Sequence, residues 1–328
     1  MGRVGLSFLV GAVGSVAGVI TSFRVATTCG GWPALPRGTA AQIAGAVAST
    51  YVGGSVNLMA VASAVGLVGA TSVGGSSLLG ALAAADIFLM SVYFSFLVAA
   101  YKTPLLRRIF PGLGSRSSTV FDPVDKGYGA KQGVDAVESG WGKLSRSSAS
   151  NTLALLATGS AICFFGNAIA RRSPVPGTST MAVTFLTVVV TRVLTRLAPG
   201  FQASLSHTAP VVATVLLNAF FGSVGASGRW VEVIGVAPAI FVFASLALAV
   251  HIVVMAAGAA ILNRCCAAGL SIDDMIVASN ANIGGPSTAA TLAGLLGKDE
   301  LVVPAAVWGT VGYAIATTLG VGIWAALR

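Results

Sequence analysis

The chain has 328 residues, of which 55% are hydrophobic and only 9% are charged. A soluble domain carries about 25% charged residues, so this composition excludes an ordinary water-soluble globular protein and predicts an integral membrane protein. The net charge is +9, but the cations lie between apolar stretches rather than on one face. That distribution favours the positive loops of a membrane protein and argues against nucleic-acid binding.

Nine apolar stretches follow one another, and each is long enough to cross a hydrocarbon core of about 30 Å as a helix. Irregular backbone facing lipid would leave its amide groups without hydrogen bonds, so we expect helices. The stretches cover residues 4–23, 39–67, 78–101, 150–171, 179–198, 207–226, 231–262, 272–297 and 300–327. They predict a multi-pass protein, without distinguishing a plasma membrane from an organellar one.

The pattern divides the chain into three parts. Residues 1–101 hold the first three predicted spans and form a first transmembrane half. Residues 102–150 are basic and rich in Gly, Ser and Pro, which predicts a flexible hydrophilic loop. Residues 151–328 form a second transmembrane half. Because Lys and Arg concentrate in the loop, the positive-inside rule places it on the cytoplasmic side.

Two predicted spans carry a Gly-Gly pair between amide and hydroxyl side chains. The first reads Gly53-Gly54-Ser55-Val56-Asn57, and the second reads Ser279-Asn280-Ala281-Asn282-Ile283-Gly284-Gly285-Pro286-Ser287-Thr288. Gly costs about 1 kcal/mol in a helix interior and Pro about 3 kcal/mol, so both helices should be interrupted mid-way. At bilayer depth such backbone survives only where it is buried in protein or lines a cavity. There its free carbonyls and helix ends can bind ions or anionic groups.

The two interruptions correspond to each other. Placing Gly53-Gly54 over Gly284-Gly285 also puts Ala62 over Ala293 and Gly66 over Gly297. Each interrupted stretch is the middle one of three spans. The sequence therefore predicts an all-α helical bundle of two structurally related halves, each with a discontinuous transmembrane helix. The alternative is that the glycine pairs only let neighbouring helices pack closely.

Other polar residues in the apolar stretches leave alternatives open. Asp86 lies inside the third span, where a carboxylate costs about 2.5–3.5 kcal/mol, so it is either functional or a hydrogen-bonded strut. His251 could relay protons, or it could be a neutral ring bonded to a neighbouring helix. Asp273 and Asp274 are expected to cap the second interrupted helix. The sequence contains no cluster that suggests a metal site, an organic cofactor or an enzyme's nucleophile.

The two Gly-Gly stretches resemble the YjcL-like family of uncharacterised membrane proteins. The resemblance extends to Ala84-Ala85-Asp86, Phe220-Phe221-Gly222-Ser223-Val224-Gly225-Ala226 and Gly312-Tyr313-Ala314-Ile315-Ala316. It implies a relation to cation/proton antiporters, bile-acid–sodium symporters and glutamate–sodium symporters. In those transporters two discontinuous helices of a core domain cross at the substrate or ion site. It also implies panel-like spans at 151–226 and core spans at 231–328.

The candidate substrate- and ion-binding residues follow from the interruptions and from the resemblance. They are Gly53, Gly54, Ser55, Asn57, Asp86, Ser279, Asn280, Asn282, Gly284, Gly285, Ser287 and Thr288. We expect a secondary active transporter that moves a small solute or ion by alternating access, with Na⁺ or H⁺ as coupling ion. The alternative is a transporter-like scaffold or assembly protein without transport activity. The lipid bilayer and the solute are the expected partners, and the sequence leaves a homo-oligomer open.

Two features conflict with a simple nine-span topology. Inverted repeats require an odd number of steps between equivalent helices, but six steps separate the second and eighth stretches. We therefore expect that one apolar stretch is not a full crossing, or that one crossing has been missed. Members of the family also carry further spans before the first one here, so we expect a shortened member or a segment of one.

Overall fold

A computed structural model describes residues 2–28, 35–67, 75–109, 149–172, 178–227 and 230–328. All regular elements in these ranges are α-helices. They are α1 (Gly2–Thr28), α2 (Arg37–Gly53), α3 (Ser55–Ala64), α4 (Gly75–Lys102), α5 (Pro104–Ile109), α6 (Ala149–Ala170), α7 (Thr178–Leu197), α8 (Pro199–Ser227), α9 (Trp230–Cys265), α10 (Ile272–Ile283), α11 (Pro286–Leu295) and α12 (Asp299–Leu327). Most of the predicted hydrophilic loop, residues 110–148, lies outside the described residues.

Five of the described helices are long and apolar enough to cross a membrane. They are Gly2–Thr28, Leu78–Lys102, Ala149–Ala170, Ala237–Cys265 and Asp299–Leu327. Large apolar side chains on them, such as Phe164 at 69% and Val253 at 65% exposure, face outwards, as lipid contact requires. The prediction of an integral multi-pass membrane protein is confirmed.

The chain forms two compact units. The first comprises Met1–Arg116 and Ser227–Arg328, and the second comprises Ser117–Ala226. In the second unit α6 packs on α7, where Gly166 lies directly against Val183. All the candidate site residues belong to the first unit.

In the first unit α1 and α9 pack antiparallel through small residues. A Cβ at Gly258 would lie 2.6 Å from Val10, a Cβ at Gly14 would lie 3.1 Å from the carbonyl oxygen of His251, and Gly18 lies against Ala247. Successive contacts move towards the C-terminus along α1 and towards the N-terminus along α9, so the two helices are antiparallel. Glycines allow this close approach because they carry no side chain.

Glycines also bring α2 and α12 together in antiparallel orientation. Gly45 on α2 lies against Gly320 on α12, and Gly53 lies against Gly312 and Ala316. A Cβ at Gly320 would lie 2.6 Å from the carbonyl oxygen of Gly45.

Relative to Gly322→Ala, Gly320→Ala is expected to lower the free energy of unfolding by about 2 kcal/mol, because overpacking costs about 1–3 kcal/mol. Gly322 is the matched control on the same helix, since no heavy atom lies within 4 Å of its Cβ position. Equilibrium unfolding in detergent measures the difference. Equal effects of the two substitutions would contradict the close contact between α2 and α12.

The pair α2 and α3 folds back on itself. The side-chain amide of Gln42 donates to the carbonyl oxygen of Val65 at 2.7 Å. In one straight helix these residues, 23 positions apart, would be separated by about 34 Å at 1.5 Å per residue. The two helices therefore form a hairpin, here called hairpin 1 (Arg37–Ala64).

The pair α10 and α11 behaves in the same way. The ammonium of Lys298, just beyond α11, lies 2.8 Å from a carboxylate oxygen of Asp273 at the start of α10. A straight helix would separate them by about 37 Å. These helices form hairpin 2 (Ile272–Leu295).

The hairpins correct the expectation that 39–67 and 272–297 each cross the membrane as one interrupted helix. Helical structure ends at Gly53 and Ile283, but the chain then reverses instead of continuing. Gly54 has φ 79° and ψ 172°, and Gly285 has φ 84° and ψ −172°. Only glycine adopts this region readily, because a Cβ would clash with the backbone there. The reversals therefore sit at the second glycine of each pair.

The hairpins approach the middle of α12 from its opposite ends. Val61 and Ser49 of hairpin 1 lie against Gly320, towards the C-terminal end of α12, whereas Pro286 of hairpin 2 lies against Gly309. Lys298, at the base of hairpin 2, directly precedes α12. The two tips thus meet beside the central part of α12.

Candidate functional site

The tips of the two hairpins touch each other and Tyr313. A Cβ at Gly54 would lie 3.4 Å from the carbonyl oxygen of Gly284 and 3.2 Å from Cε1 of Tyr313. A Cβ at Gly285 would lie 2.7 Å from the same Tyr313 carbon and 3.0 Å from its hydroxyl oxygen. The half-buried Tyr313 ring therefore packs against both reversals. Sequence reasoning did not select this residue for the site, although it lies in one of the stretches that carry the family resemblance.

Asp86 on α4 connects the two arms of hairpin 1. Its Oδ1 accepts a hydrogen bond of 3.0 Å from the hydroxyl of Thr50 on α2, and its Oδ2 accepts one of 2.5 Å from the hydroxyl of Ser55 on α3. The carboxylate is only 5% exposed. Two predicted residues, Asp86 and Ser55, are thus brought together, and Thr50 joins them.

Asn57 connects hairpin 1 to α12. Its Nδ2 donates to the carbonyl oxygen of Gly53 at 2.9 Å, and its Oδ1 accepts from the hydroxyl of Thr317 at 2.7 Å. Asn57 therefore satisfies a carbonyl at the end of α2 and fixes the first turn of α3 against α12.

Two buried asparagines of hairpin 2 have polar atoms without partners. Nδ2 of Asn282 donates to the carbonyl oxygens of Phe8 and Ala278 at 3.0 and 3.1 Å, but its Oδ1 has no partner among the described residues. Nδ2 of Asn280 also lacks one in this part of the chain. Both residues are at most 1% exposed. Hairpin 2 therefore holds one unpaired acceptor, Oδ1 of Asn282, and one unpaired donor, Nδ2 of Asn280. Each unsatisfied buried atom costs about 1–3 kcal/mol.

The amide of Asn280 lies beside the first turn of α11. A Cβ at Gly284 would lie 2.9 Å from Oδ1 of Asn280 and would clash with the hydroxyl of Thr288. That hydroxyl donates to the carbonyl oxygen of Gly285 at 3.2 Å. Ser287, in the same turn, is exposed. Asn280, Thr288 and Ser287 are therefore all placed at or near the tip of hairpin 2.

The remaining predicted residue, Ser279, belongs to a separate buried chain of hydrogen bonds. Its hydroxyl lies 2.6 Å from the hydroxyl of Tyr93 on α4 and 2.7 Å from Nε2 of His251 on α9. Nδ1 of His251 lies 2.9 Å from the hydroxyl of Ser15 on α1, which donates to the carbonyl oxygen of Tyr51 at 2.6 Å. His251 is thus bonded to neighbouring helices, and sequence reasoning missed Ser15 and Tyr93.

The base of hairpin 2 is held by charged groups. Ser271 caps α10 and exchanges hydrogen bonds with Asp274, so Asp274 has the expected capping role. Asp273 pairs with Lys298 instead, and both side chains are buried, at 4% and 7% exposure. Burial lowers the pKa of Lys298, but the hydrogen bond and charge of Asp273 outweigh this effect and hold that pKa above its usual value. The ammonium of Lys298 is therefore charged at neutral pH.

Several backbone features of hairpin 1 recur in hairpin 2 at a distance of 231 positions along the chain, which is the spacing from Gly54 to Gly285. Gly54 and Gly285 both have positive φ, and so do Gly66 and Gly297. The amide of Leu67 donates to Ala62, and the amide of Lys298 donates to Ala293, with the same offset. The second arms, α3 and α11, have 10 residues each.

No solved structure matches this chain. A similar protein is the "Uncharacterized membrane protein YjcL" of Bacillus subtilis (strain 168), which is 25% identical over 328 residues that cover 97% of this chain and 74% of the relative. This relative supports the resemblance to YjcL-like membrane proteins. The model of the family described as "Protein of unknown function (DUF819)" matches residues 1–328, so the chain belongs to the DUF819 family.

Proposed function

We propose that the protein is a secondary active transporter that binds a small solute or ion between the tips of the two hairpins. The observation that carries the proposal is the meeting of these tips beside Tyr313, with unpaired buried amide atoms at Asn280 and Asn282 of hairpin 2. Coupling to Na⁺ or H⁺ and alternating access are parts of the same proposal.

The lengths of the hairpins suit a site near the bilayer midplane. The second arms, α3 and α11, have 10 residues each, or about 15 Å, which is half of a hydrocarbon core of about 30 Å. Re-entrant hairpins entering from opposite faces would therefore meet near the middle. Non-helical backbone is tolerated there only when it is buried or lines a cavity, and Gly54 and Gly285 are both buried.

The order of the helices supports two related halves. The series α1, hairpin 1, α4 is matched by α9, hairpin 2, α12, and the constant spacing of the backbone features supports this correspondence. Between the hairpins lie three helices that are long and apolar enough to cross, Leu78–Lys102, Ala149–Ala170 and Ala237–Cys265. Two further predicted spans, 179–198 and 207–226, would bring the number of crossings to five. An odd number of crossings is what an inverted repeat requires, so re-entrant hairpins remove the conflict in topology.

The tips offer suitable chemistry for a small charged passenger. The N-terminal ends of α3 and α11 carry partial positive charge, and the C-terminal ends of α2 and α10 carry partial negative charge. Oδ1 of Asn282, two residues before Gly284, has no partner among the described residues, and amide oxygens are ligands for hard cations. A passenger that interacts differently with the outward-open and inward-open states would shift the equilibrium between them.

A transporter-like scaffold is the second candidate. Asn57 and Asp86 have hydrogen-bond partners within the protein, as a purely structural hairpin would need. A scaffold has no evident use for the unpaired amides, however, because each lowers its stability.

Thermal unfolding in lipid nanodiscs tests the proposal. The ligands are sodium, with choline in its place as the control, and pools of metabolites. A ligand present at about 100 times its own Kd should raise Tm by about 5 °C. Asn282→Ala should abolish the shift, whereas Asn167→Ala, which alters an exposed amide on α6, should retain it. Transport is contradicted if neither sodium, pH nor any metabolite pool stabilises the wild-type protein.

A further inference from the structure

The buried chain through His251 connects elements that would have to separate if hairpin 2 moved. It begins at Tyr93 on α4, passes Ser279 on hairpin 2 and His251 on α9, and ends at Ser15 on α1. The His251 ring is 0% exposed and Ser279 is 3% exposed. The proposed transport site does not use this chain.

The number of hydrogens that each group in this chain carries fixes which group donates in each hydrogen bond. The hydroxyl of Ser15 has one hydrogen, which it donates to the carbonyl oxygen of Tyr51, so Ser15 must accept from Nδ1 of His251. A neutral imidazole with a hydrogen on Nδ1 accepts at Nε2. Ser279 therefore donates to Nε2, and its oxygen accepts from the hydroxyl of Tyr93.

We propose that Nε2 of His251 is a proton-binding site, and that protonation there releases the first arm of hairpin 2. The ligand is a single proton from water, which converts the neutral imidazole into an imidazolium of charge +1. The inference rests on the proposed function in one respect: it identifies a coupling proton for the movement of that hairpin.

Protonation reverses the chain because it turns Nε2 from an acceptor into a donor. The hydroxyl of Ser279 must then accept from the ring and can no longer donate to it, so either its own hydrogen or the hydrogen of the Tyr93 hydroxyl needs another acceptor. Since no ring atom is exposed, a proton reaches Nε2 only when a surrounding element moves. Binding of the proton and displacement of the hairpin are therefore linked.

The described surroundings of His251 contain few groups that could titrate with it. Tyr93 on α4 packs edge-on against the ring at 6.3 Å between centroids. Tyr51 on α2 contributes its carbonyl to the chain, and its phenol reaches the carbonyl oxygen of Ala244 on α9. Asp86 on α4 acts electrostatically on that phenol. The facing residues of α1 and hairpin 2 are Ser15, Gly11, Ser279 and Asn282, which are not ionisable.

Nitrogen NMR of ¹⁵N-histidine-labelled protein in lipid tests the site directly. The chain has two histidines, so His207→Gln leaves only His251, and His207 is exposed on α8. At about pH 8 the ring should carry its hydrogen on Nδ1, and by about pH 3 both nitrogens should be protonated. A hydrogen on Nε2 at the higher pH, or unchanged signals over this range in folded protein, would overturn the proposal.

Amide hydrogen exchange tests the release of the hairpin. After correction for intrinsic rates, exchange in 272–283 should rise about tenfold between these pH values in wild type and in His207→Gln, as expected when about one buried hydrogen bond is lost. His251→Gln should show no such rise, and an equal rise in that variant would refute the link. Neither readout needs a solute, so a titrating His251 supports the proton site even if no solute stabilises the protein.

Discussion

Gly285→Ala is expected to lower the free energy of unfolding by about 3 kcal/mol. About 1–3 kcal/mol comes from forcing a Cβ into a backbone conformation that only glycine adopts readily. A similar amount comes from overpacking, because the new methyl would lie 2.7 Å from the Tyr313 ring. Denaturant unfolding in detergent micelles measures the change.

Gly297→Ala is the matched control for this experiment. Gly297 also has positive φ, at 65°, but nothing lies within 4 Å of its Cβ position. Its substitution should therefore cost only the conformational strain of about 1–2 kcal/mol. If Gly285→Ala were no more destabilising than Gly297→Ala, the contact of Tyr313 with the tip of hairpin 2 would be wrong.

Asp273→Ala is expected to destabilise the protein by about 3–5 kcal/mol, because it leaves the buried ammonium of Lys298 without its counter-charge. The double substitution Asp273→Leu with Lys298→Met removes both charges and should recover most of that loss. Unfolding of the single and double variants, in a double-mutant cycle, gives the interaction energy.

Asp299→Asn provides the control for the ion pair. Asp299 is a neighbouring carboxylate at the start of α12, but it is exposed, so its loss should change the unfolding free energy by no more than about 0.5 kcal/mol. Additive effects of the two substitutions at Asp273 and Lys298 would show that the base of hairpin 2 is not held by this pair.

The glycine pairs in the sequence were enough to locate the ends of α2 and α10. They were not enough to predict that the chain reverses after each of them. The Gly-Gly pairs lie where α2 ends at Gly53 and where α10 ends at Ile283, as helix propensity predicts. The reversal depends on contacts between distant residues, such as Gln42 with Val65. An apolar stretch that is long enough to cross a bilayer looks the same in sequence when it folds back half-way.

The composition of the candidate site was only partly accessible from sequence. Amides and hydroxyls beside a glycine pair are visible as a local pattern, and Ser55, Asn57, Asn280 and Thr288 do lie near the tips. Their partners come from distant helices and look like ordinary members of apolar stretches. Thr50, Thr317 and Tyr313 are of this kind, since only the fold brings them to the tips.

Ser279 shows the limit of assigning a role from proximity in sequence. It adjoins Asn280, but successive residues of a helix point about 100° apart because a turn contains 3.6 residues. The hydroxyl of Ser279 faces α9 and α4, where it meets His251 and Tyr93. The neighbouring amide lies beside Gly284 instead.

Labelling with a membrane-impermeant maleimide tests the central claim that two hairpins enter the membrane from opposite faces. Single cysteines replace Gly38 and Ser63 in hairpin 1, and Ala267 and Gly294 around hairpin 2, in a background without the native cysteines; all four positions are exposed. Positions 38 and 63 should react from one face of the membrane, and positions 267 and 294 from the other. Reaction of 38 and 63 from opposite faces would mean that this segment crosses the bilayer, and would contradict the account.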